Sequence, residues 1–208
     1  MWLNIIITSL TGYMLGNLNG AFLMGHRLAG EDIRSKGSGN AGLTNFIRNY
    51  GAKPAIGVII TDMGKAALAC FVGGGLLAPF GHEIAGRALG GLCVILGHAF
   101  PALLGFKGGK GILSGVTVAL MMDWKIGLFV FSIFVVVYLL THYVSLGSVL
   151  SSGSFGFIYA FFHRDSLFPI LAGFAISAML VWMHRSNIVR LVKGEERKTY
   201  YFKKGKSQ

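Results

Sequence analysis

Acidic residues are scarce: 8 Asp+Glu stand against 19 Lys+Arg in 208 residues, and charged residues make up only 13% of the chain. Soluble domains carry about twice that charged fraction, so an ordinary water-facing surface is excluded. Proline is nearly missing, at 4 residues, and the 2 cysteines, Cys70 and Cys93, lie inside apolar stretches with no CxxC and no histidine at ligand spacing. Neither a disulfide framework nor a zinc site follows from them. The opening MWLNIII lacks the positive n-region and small-residue cleavage site of a signal peptide, and reads as a retained first span. No lipidation or retention signal is evident at either end.

Apolar sequence is what remains. The hydrophobic class accounts for 53% of residues and the mean hydropathy is +0.63. The apolar residues fall in blocks at 2–25, 54–80, 84–104, 111–122, 124–140, 145–162 and 167–183, against the roughly 20 residues a full span needs. This predicts an all-α, polytopic integral membrane helix bundle of seven spans, forming one domain over 1–208. The fourth block is too short to cross unaided and reads as a half-span or a tilted helix; fusing it with the fifth, or counting five long spans, is the alternative.

Charge sets the orientation. Seven crossings gather fifteen of the Lys and Arg residues, from Arg27, Arg34, Lys36 and Arg48 through Lys107 and Lys110 to the C-terminal stretch, on one side, and leave Lys125 and Arg164 on the other. By the positive-inside rule the N-terminus is outside and the C-terminus cytoplasmic. Residues 198–208 then form a basic cytoplasmic tail suited to anionic lipid. The net charge of +11 is accounted for by cytoplasmic loops and an anionic leaflet or substrate, without nucleic acid. Glycines at four-residue spacing (Gly12, Gly16 and Gly20; Gly86 and Gly90; Gly111 and Gly115) predict close helix packing in lipid.

Three cytoplasmic segments carry chemistry. The first, SKGSGNAGLTNFIR, sets Gly37, Gly39 and Gly42 among Ser38, Asn40, Thr44, Asn45 and Arg48. Glycines let backbone N–H groups converge on an anion, and an arginine forks onto phosphate. The formal GxGxxG is no dinucleotide fingerprint, because no strand precedes it and a membrane span follows; a plain turn is the alternative, but a turn does not need Asn40, Thr44, Asn45 and Arg48 as well. The second, GHAFPALLGFKGGKGILSG, flanks Gly108 and Gly109 with Lys107 and Lys110 where one span ends and another begins. It fails the P-loop pattern, since Leu104 stands where a glycine is required. His98, deeper in the block, reads either as a packing histidine or as a functional one. In the third, MHRSNIVRLVKGEE, helical spacing puts His184, Asn187 and Arg190 on one polar face, and Glu196 is free to pair with a nearby cation. Asp62 and Lys65, one turn apart inside the second block, form an intramembrane ion pair, structural or functional. Ser145 and Ser148 sit where hydroxyls can reach a phosphate or bond their own helix.

Taken together, GSGNAGLTN, GHAFP with FKGGKG, and HRSNIVRLVKGEE resemble the bacterial acyl-phosphate-dependent glycerol-3-phosphate acyltransferases, the PlsY family, over essentially the whole chain. The resemblance implies acyl transfer from acyl phosphate to the 1-hydroxyl of glycerol 3-phosphate in the bacterial cytoplasmic membrane, with no cofactor and no metal. It implies a site lined by Ser38, Arg48, Lys110, Ser148, His184 and Asn187. Arg48 and Lys110 would meet phosphate charge, and Ser38 and Asn187 would bond the reacting groups. Gly37, Gly39, Gly42, Gly108 and Gly109 would cradle phosphate, with Asn40, Thr44, Asn45, His98, Lys107, Ser145 and Arg190 around them. His184 is the candidate base if the protein supplies one. The HxxxxD pair of acyl-CoA enzymes is absent; the nearest approach is His26 with Glu31 five residues on. Three positions depart from the family: Ser114 replaces a threonine, His142 an arginine and Ala66 a glycine. A small transporter or channel for a phosphorylated solute is the competing class.

Overall fold

The computed structural model describes residues 1–200. It is helical, with no strand among the described residues. The helices are α1 (Trp2–Gly16), α2 (Gly20–Ala29), α3 (Leu43–Tyr50), α4 (Ala52–Leu77), α5 (Glu83–Ala99), α6 (Ile112–Met122), α7 (Trp124–Thr141), α8 (Val144–Phe162), α9 (Leu167–Met183) and α10 (Arg185–Val192). Among the described residues, four segments are long and apolar enough to cross a bilayer alone: Ala52–Phe80, Glu83–Leu104, Trp124–Thr141 and Val144–Phe162. A fifth forms if α9 and α10, bent by 57° at His184, are taken as one. The chain is a multi-pass membrane protein.

The first apolar block corrects the expectation of one continuous span over 2–25. It breaks at Asn17, Leu18 and Asn19 into α1 and α2. The two asparagines drive the break. The Asn19 side chain caps α2 by accepting from the Phe22 N–H at 2.9 Å, and the Asn17 side chain accepts from the Leu103 N–H at 3.0 Å. Carbonyls released by a break in lipid need new donors, and those of Gly16 and Leu18 take the Lys65 ammonium at 3.3 and 2.5 Å.

Small residues bring α1, α4 and α5 into close contact, as their spacing predicts. Gly86 lies against Gly73, Gly90 against Ala69 and Gly16 against Gly97, each with no room for a Cβ. The main core gathers Cys70, Val94, Ile95, Val118, Phe155 and Ile176 between the helices. A smaller cluster of Ala21, Ile33, Ala41, Phe46 and Val58 underlies the first glycine loop. Both cysteines are free thiols.

The two ends of the bundle differ. At one end Asn4 bonds the Leu76 carbonyl, Arg87 the Met121 carbonyl, and His163 pairs with Asp123 at 2.8 Å, the same carboxylate that caps α7. At the other lie α2, α3, α10 and all three motif segments.

Candidate active site

Asn45 organises the first loop. Its amide donates to the carbonyls of Ile33, Lys36 and Asn40 at 3.0–3.3 Å, and its side-chain oxygen accepts from the Ser38 N–H at 3.0 Å. Buried and fully engaged in shaping the loop, it faces inward from the surface a ligand would meet. Gly37 is required here on two counts: its φ is +58°, and a Cβ would run into the Asn45 side chain. Gly42 is the N-cap of α3, and Arg48 projects exposed from the last turn of that helix. Ser38 is also exposed; Asn40 and Thr44 are half-buried.

The second loop hangs from the end of α5. The N–H groups of Gly108 and Gly109 donate to the carbonyls of Ala99 and His98, both at 3.1 Å. Gly109 fits under the His98 ring and against the Ala41 carbonyl, where no Cβ can be placed, so the first and second loops touch. Arg34, to which the sequence reading assigned no role beyond charge, ties them again. Its guanidinium is held by Asp32 and donates to the carbonyls of Leu104 and Lys107 at 2.7 and 3.0 Å. Between the loops opens a cleft of about 520 Å³ lined by Arg34, Gly39, Leu104, Gly105, Lys107 and Gly108. Lys107 is exposed and Lys110 half-buried.

The third segment closes on the second. Lys110 donates to the side-chain oxygen of Asn187, and the Asn187 amide donates to Glu196 at 2.8 Å. Glu196 also takes the Ser145 hydroxyl at 2.9 Å and the Arg190 guanidinium at 2.7 Å. Burial pushes the Glu196 carboxyl up, but the bonds from Asn187, Arg190 and Ser145 outweigh it and hold it below the ordinary range. Burial takes the Lys110 ammonium down to about 8, with Arg190 and Arg48 adding to the drop and Glu196 opposing it. Among the described residues, Lys110, Arg48 and Arg190 thus share one field with the bound Glu196 carboxylate, an arrangement that leaves positive charge for an incoming anion.

His184 sits at the bend between α9 and α10. Its Nδ1 donates to the Leu180 carbonyl at 2.8 Å, which leaves Nε2 as the acceptor of the neutral ring. Ser148 bonds the Val144 carbonyl of its own helix. His98 lies apart from the cleft, buried against Lys65 at 2.7 Å.

Residues 195–200 fold back across this end. Arg48 donates to the Thr199 hydroxyl at 2.6 Å, the Thr199 N–H donates to the His142 carbonyl at 2.9 Å, and Tyr138 donates to the Thr199 carbonyl at 3.0 Å. His142 adopts φ +61°, unusual for a non-glycine residue, and ends α7. The expected start of the basic tail at 198 therefore falls inside a packed strap, whereas Lys203, Lys204 and Lys206 lie outside the described residues. Thr199 and Arg34 escaped the sequence reading because nothing in their neighbours marks a contact 151 or 70 residues away. Among the described residues no group of three or more His, Cys, Asp or Glu is gathered to hold a metal ion.

A helical membrane bundle with a cationic, glycine-lined cleft at one polar end defines a class: membrane-embedded proteins that handle phosphorylated substrates at the lipid interface. Comparison with known proteins narrows it. The family model described as glycerol-3-phosphate acyltransferase matches residues 6–194. Glycerol-3-phosphate acyltransferases of Parasynechococcus marenigrum (strain WH8102) and Clostridioides difficile (strain 630) are 37% and 36% identical, each over 93% of this chain and over 91% and 94% of the relative. Among solved structures, the integral membrane glycerol 3-phosphate acyltransferase PlsY (YgiH) superposes with a TM-score of 0.84 in its glycerol 3-phosphate form. The identity is 29%, over 94% of this chain and 96% of that one. Its lysophosphatidic acid form gives a TM-score of 0.81 at 27% identity, over 94% and 95%. The chain belongs to the glycerol-3-phosphate acyltransferase family.

Proposed function

We propose that this chain transfers a fatty acyl group from acyl phosphate to the 1-hydroxyl of glycerol 3-phosphate, yielding 1-acyl-glycerol 3-phosphate and inorganic phosphate, the first step of phospholipid synthesis. The observation that carries the reading is the shared field of Arg48, Lys110 and Arg190 around the Glu196 carboxylate, beside two glycine loops. Both substrates bring a phosphate, and Arg and Lys donors at such a patch can make charge-assisted hydrogen bonds to phosphate oxygens. The solved PlsY forms with glycerol 3-phosphate and lysophosphatidic acid support the acceptor and the product; the donor rests on the motif resemblance and on this charge.

In the reaction the glycerol hydroxyl oxygen attacks the acyl carbonyl carbon, a new ester C–O bond forms, and the bond from that carbon to the phosphate oxygen breaks. The hydroxyl proton passes to a phosphate oxygen, so inorganic phosphate leaves carrying it. Acyl phosphate is already activated, so positioning and charge stabilisation supply the catalysis. Arg48 and Lys110 take phosphate charge, Ser38 and Asn187 orient the reacting groups, and the loop backbones from Gly37 to Gly42 and at Gly108 and Gly109 bind phosphate oxygens. Asn40, Thr44 and Lys107 line the rim, while Asn45, Ser145, Ser148, His98 and Arg190 hold the framework. No cofactor or metal enters the scheme.

The positive-inside rule places this end in the cytoplasm of a bacterial inner membrane, with seven crossings and the N-terminus outside. In that arrangement α1 and α6, short as they are, cross by packing within the bundle. Single cysteines in the Arg34 loop and at Lys193 label from the same side under this topology; opposite-side labelling refutes it.

Phosphate release by purified protein in lipid, with palmitoyl phosphate and glycerol 3-phosphate, tests the activity. The expected result is release that needs both substrates, lysophosphatidate as product, and no turnover with palmitoyl-CoA. Flux of glycerol 3-phosphate into proteoliposomes without acyl transfer establishes the transporter reading instead.

A further inference from the structure

Asp62, Lys65 and His98 sit one layer beneath the cleft; in the proposed reaction His98 serves only as framework, and Asp62 and Lys65 are left without a part. The Lys65 ammonium meets the Asp62 carboxylate at 2.9 Å and His98 Nδ1 at 2.7 Å, in addition to the Gly16 and Leu18 carbonyls at the break between α1 and α2. All three side chains are buried. An ammonium only donates, so Nδ1 of His98 accepts and its ring proton rests on Nε2. That Nε2 edge is what leaves no room for a Cβ at Gly109.

The same knot reaches the first loop. The Asp62 carboxylate accepts from the Gly20 N–H at 3.1 Å, which fixes the start of α2, and Asn19 beside it donates to the Ala41 carbonyl at 3.0 Å. Ala41 is in turn the second wall around Gly109. One buried ion pair therefore fixes the helix break that carries the first loop, and through His98 it supports the second. A pair serving only to neutralise itself needs neither the histidine nor the broken helix; replacing such a pair by apolar residues is often neutral.

We propose that Asp62, Lys65 and His98 are positioning residues for acyl transfer, setting the distance between the two glycine loops so that both phosphates are held in register. The inference rests on the acyltransferase reading, and its test has a readout that does not. Backbone hydrogen exchange at residues 37–42 and 107–111 is measured in detergent-purified wild type, His98→Leu, His98→Asn and Lys65→Met, alongside KM and kcat.

In His98→Leu and Lys65→Met, exchange at both loops rises at least tenfold while the middles of α4 and α5 keep wild-type protection. KM for both substrates rises about tenfold or more, with kcat changed less. His98→Asn, whose side-chain oxygen can replace Nδ1 as acceptor for Lys65, recovers most of both effects. Should Lys65→Met fail to fold, Asp62→Asn with Lys65→Met removes both charges together and carries the same measurement. Wild-type exchange and KM in folded His98→Leu overturn the proposal. A fall in kcat alone with a displaced pH profile also overturns it, since His98 would then be handling a proton. If the wild type itself shows no turnover, the acyltransferase reading fails and the exchange data still judge the positioning role.

Discussion

Lys110 and Asn187, 77 residues apart, are joined by a direct hydrogen bond from the ammonium to the side-chain oxygen. The bond settles how the Asn187 amide is turned: the ammonium has no acceptor to offer, so the oxygen faces Lys110 and the nitrogen faces Glu196. Lys110 is held half-buried among other cations, and under the proposed function a substrate phosphate entering there would meet a donor already aimed and partly desolvated.

Under the proposed function this placement predicts the alkaline side of the pH profile. Free-enzyme groups govern kcat/KM, and burial takes the Lys110 ammonium down to about 8. We expect kcat/KM to fall above pH 8, kcat to hold further because bound phosphate keeps the proton on, and Lys110→Arg to flatten the alkaline limb. Stability runs the other way. The folded pKa lies below the ordinary 10.5, so the unfolded chain binds more protons between about 8 and 10.5, and the protein gains stability as pH rises through that window. A pH series of initial rates and thermal melts reads both signs.

Arg48 is exposed and its described contact is the Thr199 hydroxyl. Arg48→Ala should therefore cost little stability and much activity: a loss of about 100-fold or more in kcat/KM, the scale of removing one charge-stabilising donor, with Tm unchanged within a degree or two. Normal turnover in this variant would remove Arg48 from the phosphate site.

The class of the fold was legible in the sequence because lipid leaves so little choice: long apolar blocks, few charges and glycines at helical spacing permit a helix bundle and little else. The three motif segments were legible as loops rich in glycine and cations. What escaped was long-range. Asn17 and Asn19 inside an apolar block were the available sign that α1 breaks, yet their partners, Leu103 and Ala41, come from elsewhere in the chain. The strap through Thr199 had no local sign at all. Helical spacing put His184 on one face with Asn187 and Arg190, but the 57° bend leaves His184 bonded back into α9 while the other two serve Glu196.

Glu196 holds Ser145, Asn187 and Arg190 together, and Glu196→Ala leaves all three donors without their acceptor. A destabilisation of about 1.5–3 kcal/mol follows from losing hydrogen bonds to a charged group, visible as a lowered Tm. Because the folded pKa lies below the unfolded one, the contribution is complete at neutral pH and is lost as pH falls through the folded pKa, below the usual carboxylate range. Melting curves of wild type and variant should converge in acid; a constant gap would assign the loss to packing.

Gly37→Ala tests the loop geometry. The substituted residue must hold φ +58° with its Cβ against the Asn45 side chain, a strain of about 1–2 kcal/mol before any clash. Since α3 and the loop lie at the bundle's end, global folding should survive while KM for glycerol 3-phosphate rises several-fold. An unchanged KM would mean that the loop backbone is not read by substrate.

Substitutions at His184 test where the hydroxyl proton goes in the proposed reaction. Its Nδ1 is committed to the Leu180 carbonyl, so only Nε2 can act as base, and a side-chain base contributes about 10²–10⁴-fold. With the proton passing to substrate phosphate, His184→Ala keeps kcat within about tenfold of wild type. The residue's part is then to fix the bend that presents Asn187 to Lys110. His184→Asn, which cannot serve as a base but can keep a donor toward Leu180, should restore part of the lost rate. A fall of a thousandfold in both variants, with loss of the acidic limb of the pH profile, would instead make His184 the general base and remove the phosphate from that role.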